Sequence, residues 1–172
     1  ADTSGESAIN AALSGQVAAV TTAPLNKEAL RAAGVPFPGH TEIFAALTHA
    51  QRACMLQYSS EVRCVFVTTH VPYAEVPRLL TKERILDTLE LGAQAMRRIG
   101  CISGTEPKIG VLGLNPHAGE HGLFGNEEET IIGPAIETAR ERGFDVEGPI
   151  PPDTAFLPAK RRATDFFVCM YP

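Results

Sequence analysis

Short apolar runs rich in β-branched residues alternate along this chain with stretches whose apolar residues recur at helical spacing. That rhythm leaves few folds open. Strands joined through helices run parallel, and the helices must then cover the faces of the sheet. Residues 16–22, 62–69, 108–112 and 165–170 read as strands, and 53–58 is a further apolar run. Residues 7–13, 27–33, 40–50, 81–99 and 127–142 read as helices, with Gly34, Gly100 and Gly143 placed where helices stop. The pattern predicts an α/β fold of three layers built on a largely parallel sheet. The tract Gly148-Pro149-Ile150-Pro151-Pro152-Asp153-Thr154 is stiff and turn-rich, and reads as a boundary or an active-site loop.

The 172 residues suffice for one domain, or for a domain and part of another. Hydrophobic residues make up 44% and charged residues 20%, the composition of a packed globular chain. The net charge of −5, without a basic run, argues against nucleic-acid binding. No apolar stretch reaches the length that spans a bilayer. The opening Ala1-Asp2-Thr3-Ser4-Gly5-Glu6 lacks the basic and apolar regions of a secretory signal. Cys54, Cys64, Cys101 and Cys169 fit no zinc or redox spacing, and three of them lie in apolar runs. They read as reduced, mostly buried thiols of a cytoplasmic protein.

The chemistry concentrates where strands end. After the apolar run at 108–112 comes Gly113-Leu114-Asn115-Pro116-His117-Ala118-Gly119-Glu120, with an amide, an imidazole and a carboxylate within six residues. In open α/β sheets, ligands bind beyond the carboxyl ends of the strands. A second histidine has a similar setting in Pro38-Gly39-His40-Thr41-Glu42. Two loop imidazoles, each near a carboxylate, point to a divalent-metal site, because neutral imidazole is a common zinc ligand and a catalytic ion keeps an open position. Glu42 and Glu120 either orient those rings or cap local amides.

Asn26 reads as a helix N-cap, which puts Lys27 in the first turn, against the helix dipole. Such a lysine either serves an anionic substrate or a proton transfer, or is simply solvated. Asn126 and Glu129 form a capping-box-like pair, and Glu127, Glu128 and Glu129 fill that positive helix end. Asp153 and Thr154 bind substrate or cofactor, or form a turn. His70 follows the strand at 62–69, whereas His49 and His121 read as surface residues. No nucleophile elbow is present.

Four segments resemble the PdxA family, the 4-hydroxythreonine-4-phosphate dehydrogenases. They are Thr22-Ala23-Pro24-Leu25-Asn26-Lys27-Glu28-Ala29-Leu30, the stretch from Gly34 through Glu42, the stretch from Gly113 through Glu120, and Pro152-Asp153-Thr154. The resemblance implies an isocitrate/isopropylmalate-dehydrogenase-like fold and a homodimer with active sites at its interface. It also implies NAD(P)-linked oxidation of a secondary alcohol in a phosphorylated hydroxy acid. Loss of carbon dioxide from the resulting β-keto acid would feed pyridoxal phosphate synthesis.

By the same resemblance, His40 and His117 are two of three metal-ligating histidines, for zinc, magnesium, manganese or cobalt. Lys27 is the catalytic candidate from its placement in the first helical turn, and Thr41, Asn115, Asp153 and Thr154 are expected to contact substrate or cofactor. The third histidine belongs to a Met-Tyr-His-Asp-Gln-Gly motif, of which Met170-Tyr171 is present here before Pro172. Residues 1–172 thus match the central part of a family member, with the metal and substrate loops and the dimerisation region. The terminal segments that help hold the nicotinamide are not among them. Two alternatives follow: a relative acting on a four-carbon sugar-acid phosphate or an aromatic cis-dihydrodiol, or a non-catalytic dimerising fragment. The 172-residue polypeptide alone is expected to be inactive in hydride transfer.

Overall fold

In the strand Phe166–Cys169, Phe166 and Val168 join one apolar cluster while Phe167 and Cys169 join another. A strand buried on both faces belongs inside a sheet covered on both sides. Five strands form that sheet: β1 (Met55–Tyr58), β2 (Arg63–Phe66), β3 (Lys108–Leu112), β4 (Asp145–Ile150) and β5 (Phe166–Cys169), in the order β1-β2-β5-β3-β4. Among the described residues only β1 and β2 pair antiparallel; the β2–β5, β5–β3 and β3–β4 pairs are parallel. The loops after β2, β3 and β5 therefore leave from one shared carboxyl edge.

The computed structural model describes residues 3–172, so Ala1 and Asp2 of the opening segment lie outside the described residues. The chain divides into two compact units, residues 1–53 and 54–172. The first holds α1 (Thr3–Leu13), α2 (Lys27–Ala32) and α3 (His40–Leu47), with Ile9 and Ile43 buried. The second holds the whole sheet together with α4 (Val76–Leu79), α5 (Lys82–Ile99), α6 (Gly133–Glu141), α7 (Pro152–Ala155) and α8 (Pro158–Ala163).

Three layers result. Helix α5 starts at Thr81, whose hydroxyl accepts from the Arg84 amide at 3.1 Å, and stops at Gly100 in the left-handed conformation (φ 69°). Its buried face, with Ile85, Leu89, Ala93 and Met96, joins Ile132, Ala135 and Ile136 against Val65, Ile109, Val111 and Phe166. On the opposite face, Ala155 of α7 packs with Phe66, Leu112, Ile150 and Phe167. Gly92 lets α5 approach the sheet: a methyl group there would stand 2.5 Å from Phe166 Cε2. Gly92→Ala is therefore expected to cost about 1–3 kcal/mol through overpacking. The effect is read as a lower urea midpoint, and an unchanged midpoint would mean that the contact relaxes freely.

Cys64 and Cys169 are buried and Cys54 and Cys101 half-buried, all four as free thiols. Cys169 shares a hydrogen bond with Cys64, which lowers the Cys64 thiol and raises that of Cys169; desolvation raises Cys169 further. Desolvation also raises Cys54, with Arg84 opposing it. A raised thiol holds less of the reactive thiolate at neutral pH. An aromatic disulfide reagent at neutral pH should label Cys101 first, with Cys64 and Cys169 protected until the chain unfolds. Equal labelling of all four in the native chain would contradict this packing.

Some expectations change. Residues 16–22 form no strand: apart from half-buried Val20 they are exposed, and they pair with no strand among the described residues. A β-like pattern makes a strand only when a neighbour completes the ladder. Conversely, Asp145–Ile150 is a strand although its last residues, Gly148-Pro149-Ile150, look like loop; Pro149 follows a cis peptide bond. As the last strand in the sheet order, β4 tolerates a proline that a central strand would not. Helix α3 ends at Leu47 rather than at residue 50, with His49 at φ 54°. The segment expected as one helix over 127–142 opens as a wider π-type turn, Glu128–Ile132, before α6. Asn126 caps it through its backbone carbonyl, accepting from Glu129 and Thr130, rather than through the expected side-chain box.

Candidate functional site

The loop leaving β3 winds the wrong way. His117, Ala118, Gly119, Glu120, His121 and Gly122 have positive φ in succession, between 43° and 89°. Left-handed backbone costs an L residue about 1–2 kcal/mol, so it persists only where its surroundings impose it. Four-residue turns hold it internally: Ala118 donates to Asn115 O at 3.1 Å, and Gly122 to Gly119 O at 3.0 Å.

A buried carboxylate holds the loop from outside. Glu128, 5% exposed, accepts from the Leu114 amide at 2.7 Å and the Asn115 amide at 2.8 Å through Oε1. Its Oε2 accepts from Asn115 Nδ2 at 2.9 Å, and the same amide group donates to Glu127 Oε2 at 2.7 Å. Gly119 is required here twice over: φ is 83°, and a Cβ would stand 2.7 Å from Glu128 Oε2. The acidic run at 127–129 thus does more than meet a helix end. Glu128 turns back to position the loop that carries His117, a role that sequence spacing did not reveal.

His117 is largely exposed, and its Nδ1 lies 3.1 Å from Glu120 Oε2. A carboxylate can only accept, so this bond places a proton on Nδ1, and in the neutral ring it leaves Nε2 as the lone-pair donor. Of the two roles open to Glu120, orienting the ring is the one observed. A cavity of about 290 Å³ at this edge is lined by Asn115, His117 and Asp153 together with Tyr73 and Tyr171. The two tyrosine rings meet edge to face at 5.2 Å. Partial burial first, and Tyr73 second, raise the Tyr171 phenol above its ordinary value, so it remains a hydrogen-bond donor at neutral pH. Tyr73 was not marked by the sequence pattern, and Tyr171 entered only as part of the Met170-Tyr171 motif. Thr154 is not among the lining residues; its hydroxyl donates to Pro151 O at 3.2 Å, a local turn contact.

In the first unit, His40 begins α3 and lines a cavity of about 330 Å³ together with Thr21, Thr22 and Leu25. Thr41 is half-buried in the first turn and does not line it. Asn26 caps α2 as expected, its Oδ1 accepting from the Ala29 amide at 2.9 Å, which leaves Lys27 exposed at the first helical position. His70 is exposed past the end of β2, and His49 and His121 are exposed.

The donor set suits a divalent ion in part. His117 shows the carboxylate-anchored imidazole typical of metal ligands, with Nε2 left over. Among the described residues no three His, Cys, Asp or Glu side chains gather as a complete ligand group.

Comparison with known proteins places the chain in a family. The family model described as "Pyridoxal phosphate biosynthetic protein PdxA" matches residues 3–172. The chain is 45% identical over 160 residues to the D-threonate 4-phosphate dehydrogenase of Salmonella typhimurium, covering 93% of this chain and 48% of that protein. It is 44% identical over 163 residues to the 4-hydroxythreonine-4-phosphate dehydrogenase of Desulforapulum autotrophicum, covering 95% and 47%. The crystal structure of the 4-hydroxythreonine-4-phosphate dehydrogenase from Klebsiella pneumoniae superposes with a TM-score of 0.81 at 41% identity, over 97% of this chain and 50% of that one. The chain thus spans about half the length of the relatives it matches. Its three-layer sheet is the isocitrate-dehydrogenase-like fold of these structures, and the chain belongs to the PdxA family.

Proposed function

We propose that this chain carries the metal and substrate loops of an NAD(P)-linked dehydrogenase acting on a phosphorylated hydroxy acid. The observation that carries the reading is the cavity at the carboxyl edge. There Asn115, His117 and Asp153 converge on a strained loop held in place by Glu128. The relatives' names, D-threonate 4-phosphate and 4-hydroxythreonine-4-phosphate dehydrogenase, support a four-carbon phosphorylated substrate.

His40 and His117 would hold a divalent ion such as zinc, magnesium, manganese or cobalt, with a further ligand from outside the described set. A divalent ion held there would supply polarisation of a substrate hydroxyl and stabilisation of negative charge on oxygen, and a nicotinamide would supply a hydride acceptor. The chain's own residues do the remaining work. Glu120 keeps the His117 ring turned with Nε2 outward. Asn115, Asp153 and the Tyr171 hydroxyl bind and orient the polar substrate, and Thr41 and Thr154 contact substrate or cofactor. Lys27 neutralises the substrate's anionic end or takes up the proton released on oxidation. Decarboxylation of the β-keto acid product and entry into pyridoxal phosphate synthesis follow for the 4-hydroxythreonine phosphate. The protein works in the cytoplasm as a homodimer.

The test replaces the central half of a full-length relative with this chain. Both phosphorylated substrates are then offered with NAD or NADP, and NAD(P)H is followed at 340 nm. Turnover with either substrate is the expected result, and Lys27→Met should reduce it by at least about 100-fold, the lower end for a proton-transfer group. A chimera that folds and dimerises but reduces neither cofactor would contradict the reading. Unchanged turnover in Lys27→Met would remove Lys27 from it.

A further inference from the structure

The opposite edge of the sheet carries a second polar concavity. Arg63 begins β2 and Asp165 immediately precedes β5, so both stand at the amino ends of parallel strands. The His117 loop leaves from the carboxyl ends. The strands between are four or five residues long, which separates the edges by roughly 13–16 Å at the usual rise. A cavity of about 410 Å³ opens here, lined by Ser60, Arg63, Arg161, Arg162 and Thr164 beside Glu61 and Asp165. Three guanidinium groups face two carboxylates.

The existing bonds leave part of that positive charge unused. The Asp165 carboxylate already accepts from the Ser103 amide and hydroxyl and from the Lys108 amide, at 2.8–3.2 Å. Arg161 Nη1 donates to Glu61 at 2.6 Å, and Arg63 Nη1 donates to Asp165 O at 3.3 Å. The Arg63 guanidinium also lies 5.3 Å from the Tyr58 ring centroid, a contact that does not use its in-plane donors. Nε of Arg63 and Nε of Arg161 are both buried without a hydrogen-bond partner. Buried donors in folded proteins are rarely left unpaired. The Nε and Nη2 edge of a guanidinium matches two oxygens of a phosphate group.

We propose that this amino-edge concavity binds a phosphate group, carried on a small molecule or free, through Arg63, Arg161 and Arg162, with the Ser60 and Thr164 hydroxyls completing the shell. The site stands apart from the proposed substrate cavity, and the inference does not depend on the dehydrogenase reading. The volume leaves room for more than phosphate alone, so a phosphomonoester is the favoured form.

The test maps amide and arginine Nε–H shifts of the full chain by NMR as inorganic phosphate, or separately glycerol 3-phosphate, is added at constant ionic strength. Saturable shifts are expected at residues 60–63 and 158–164 and at both Nε–H groups. Arg161→Ala and Arg162→Ala should each weaken them by about tenfold, the scale of one charge-assisted bond. Arg162 is exposed and Arg161 half-buried on α8, and an unchanged spectrum elsewhere checks that each variant folds. Tighter binding of glycerol 3-phosphate identifies an ester ligand, and equal or weaker binding identifies the free anion. Shifts that are absent, that persist in both variants, or that acetate reproduces at equal concentration would overturn the proposal.

Discussion

Replacing Glu128 by alanine is expected to lower the unfolding free energy by about 3–5 kcal/mol, the range for stranding buried partners of a charged group. The substitution removes the acceptor of the Leu114 and Asn115 amides and of the Asn115 side chain at one stroke. It also empties the space kept open by Gly113 and Gly119. The strained backbone from His117 to Gly122 then loses the outside anchor that opposes its relaxation.

Glu128→Gln should recover only part of the loss. One oxygen still serves the two backbone amides, but the new NH₂ faces the Asn115 NH₂. Flipping Asn115 does not help, since its carbonyl would then face the Glu127 carboxylate. Urea denaturation reads both variants. A loss below about 1 kcal/mol for alanine, the worth of one ordinary hydrogen bond, would show that the loop does not depend on this carboxylate.

The second large effect concerns turnover. In the chimera described above, His117→Ala should reduce turnover by at least about 100-fold, since metal polarisation contributes several kcal/mol to such transition states. Glu120→Gln should fall short of that, at about 10–100-fold, as expected for a group that orients a ligand without being one. The order of the two effects is the informative result. If Glu120→Gln costs as much as His117→Ala, the carboxylate acts on substrate directly. If neither matters, the β3 loop is not the site.

The chain rhythm carried most of the sheet. Residues 62–69, 108–112 and 165–170 show apolar runs with flanking turn signals, and each contains an observed strand. Helix α5 was legible at both ends because Thr81 and Gly100 supply an acceptor and a left-handed stop. The failures have physical causes. Residues 16–22 have the pattern without a ladder partner, and β4 has the partner without the pattern, its glycine and proline being admissible at the end of the sheet order.

At the site, the motif residues His117, Asn115 and Asp153 were legible and converge on one cavity. Glu128 was not, because thirteen and fourteen residues separate it from the amides it holds, a distance no local periodicity spans. The left-handed winding from His117 to Gly122 was equally hidden, since in it only Gly119 and Gly122 lack the Cβ that disfavours such backbone. His40 lies in the first unit and His117 in the second, so sequence order alone could pair them only by resemblance.

The measurement that tests the metal-dependent reading most directly is chelation followed by add-back. The chimera's NAD(P)H production from D-threonate 4-phosphate or 4-hydroxythreonine 4-phosphate is recorded before and after EDTA and dialysis, then with divalent ions restored one at a time. The account predicts loss of turnover on chelation and recovery with at least one ion, and no recovery in His117→Ala. Turnover that survives exhaustive chelation, or that His117→Ala leaves intact, would contradict it.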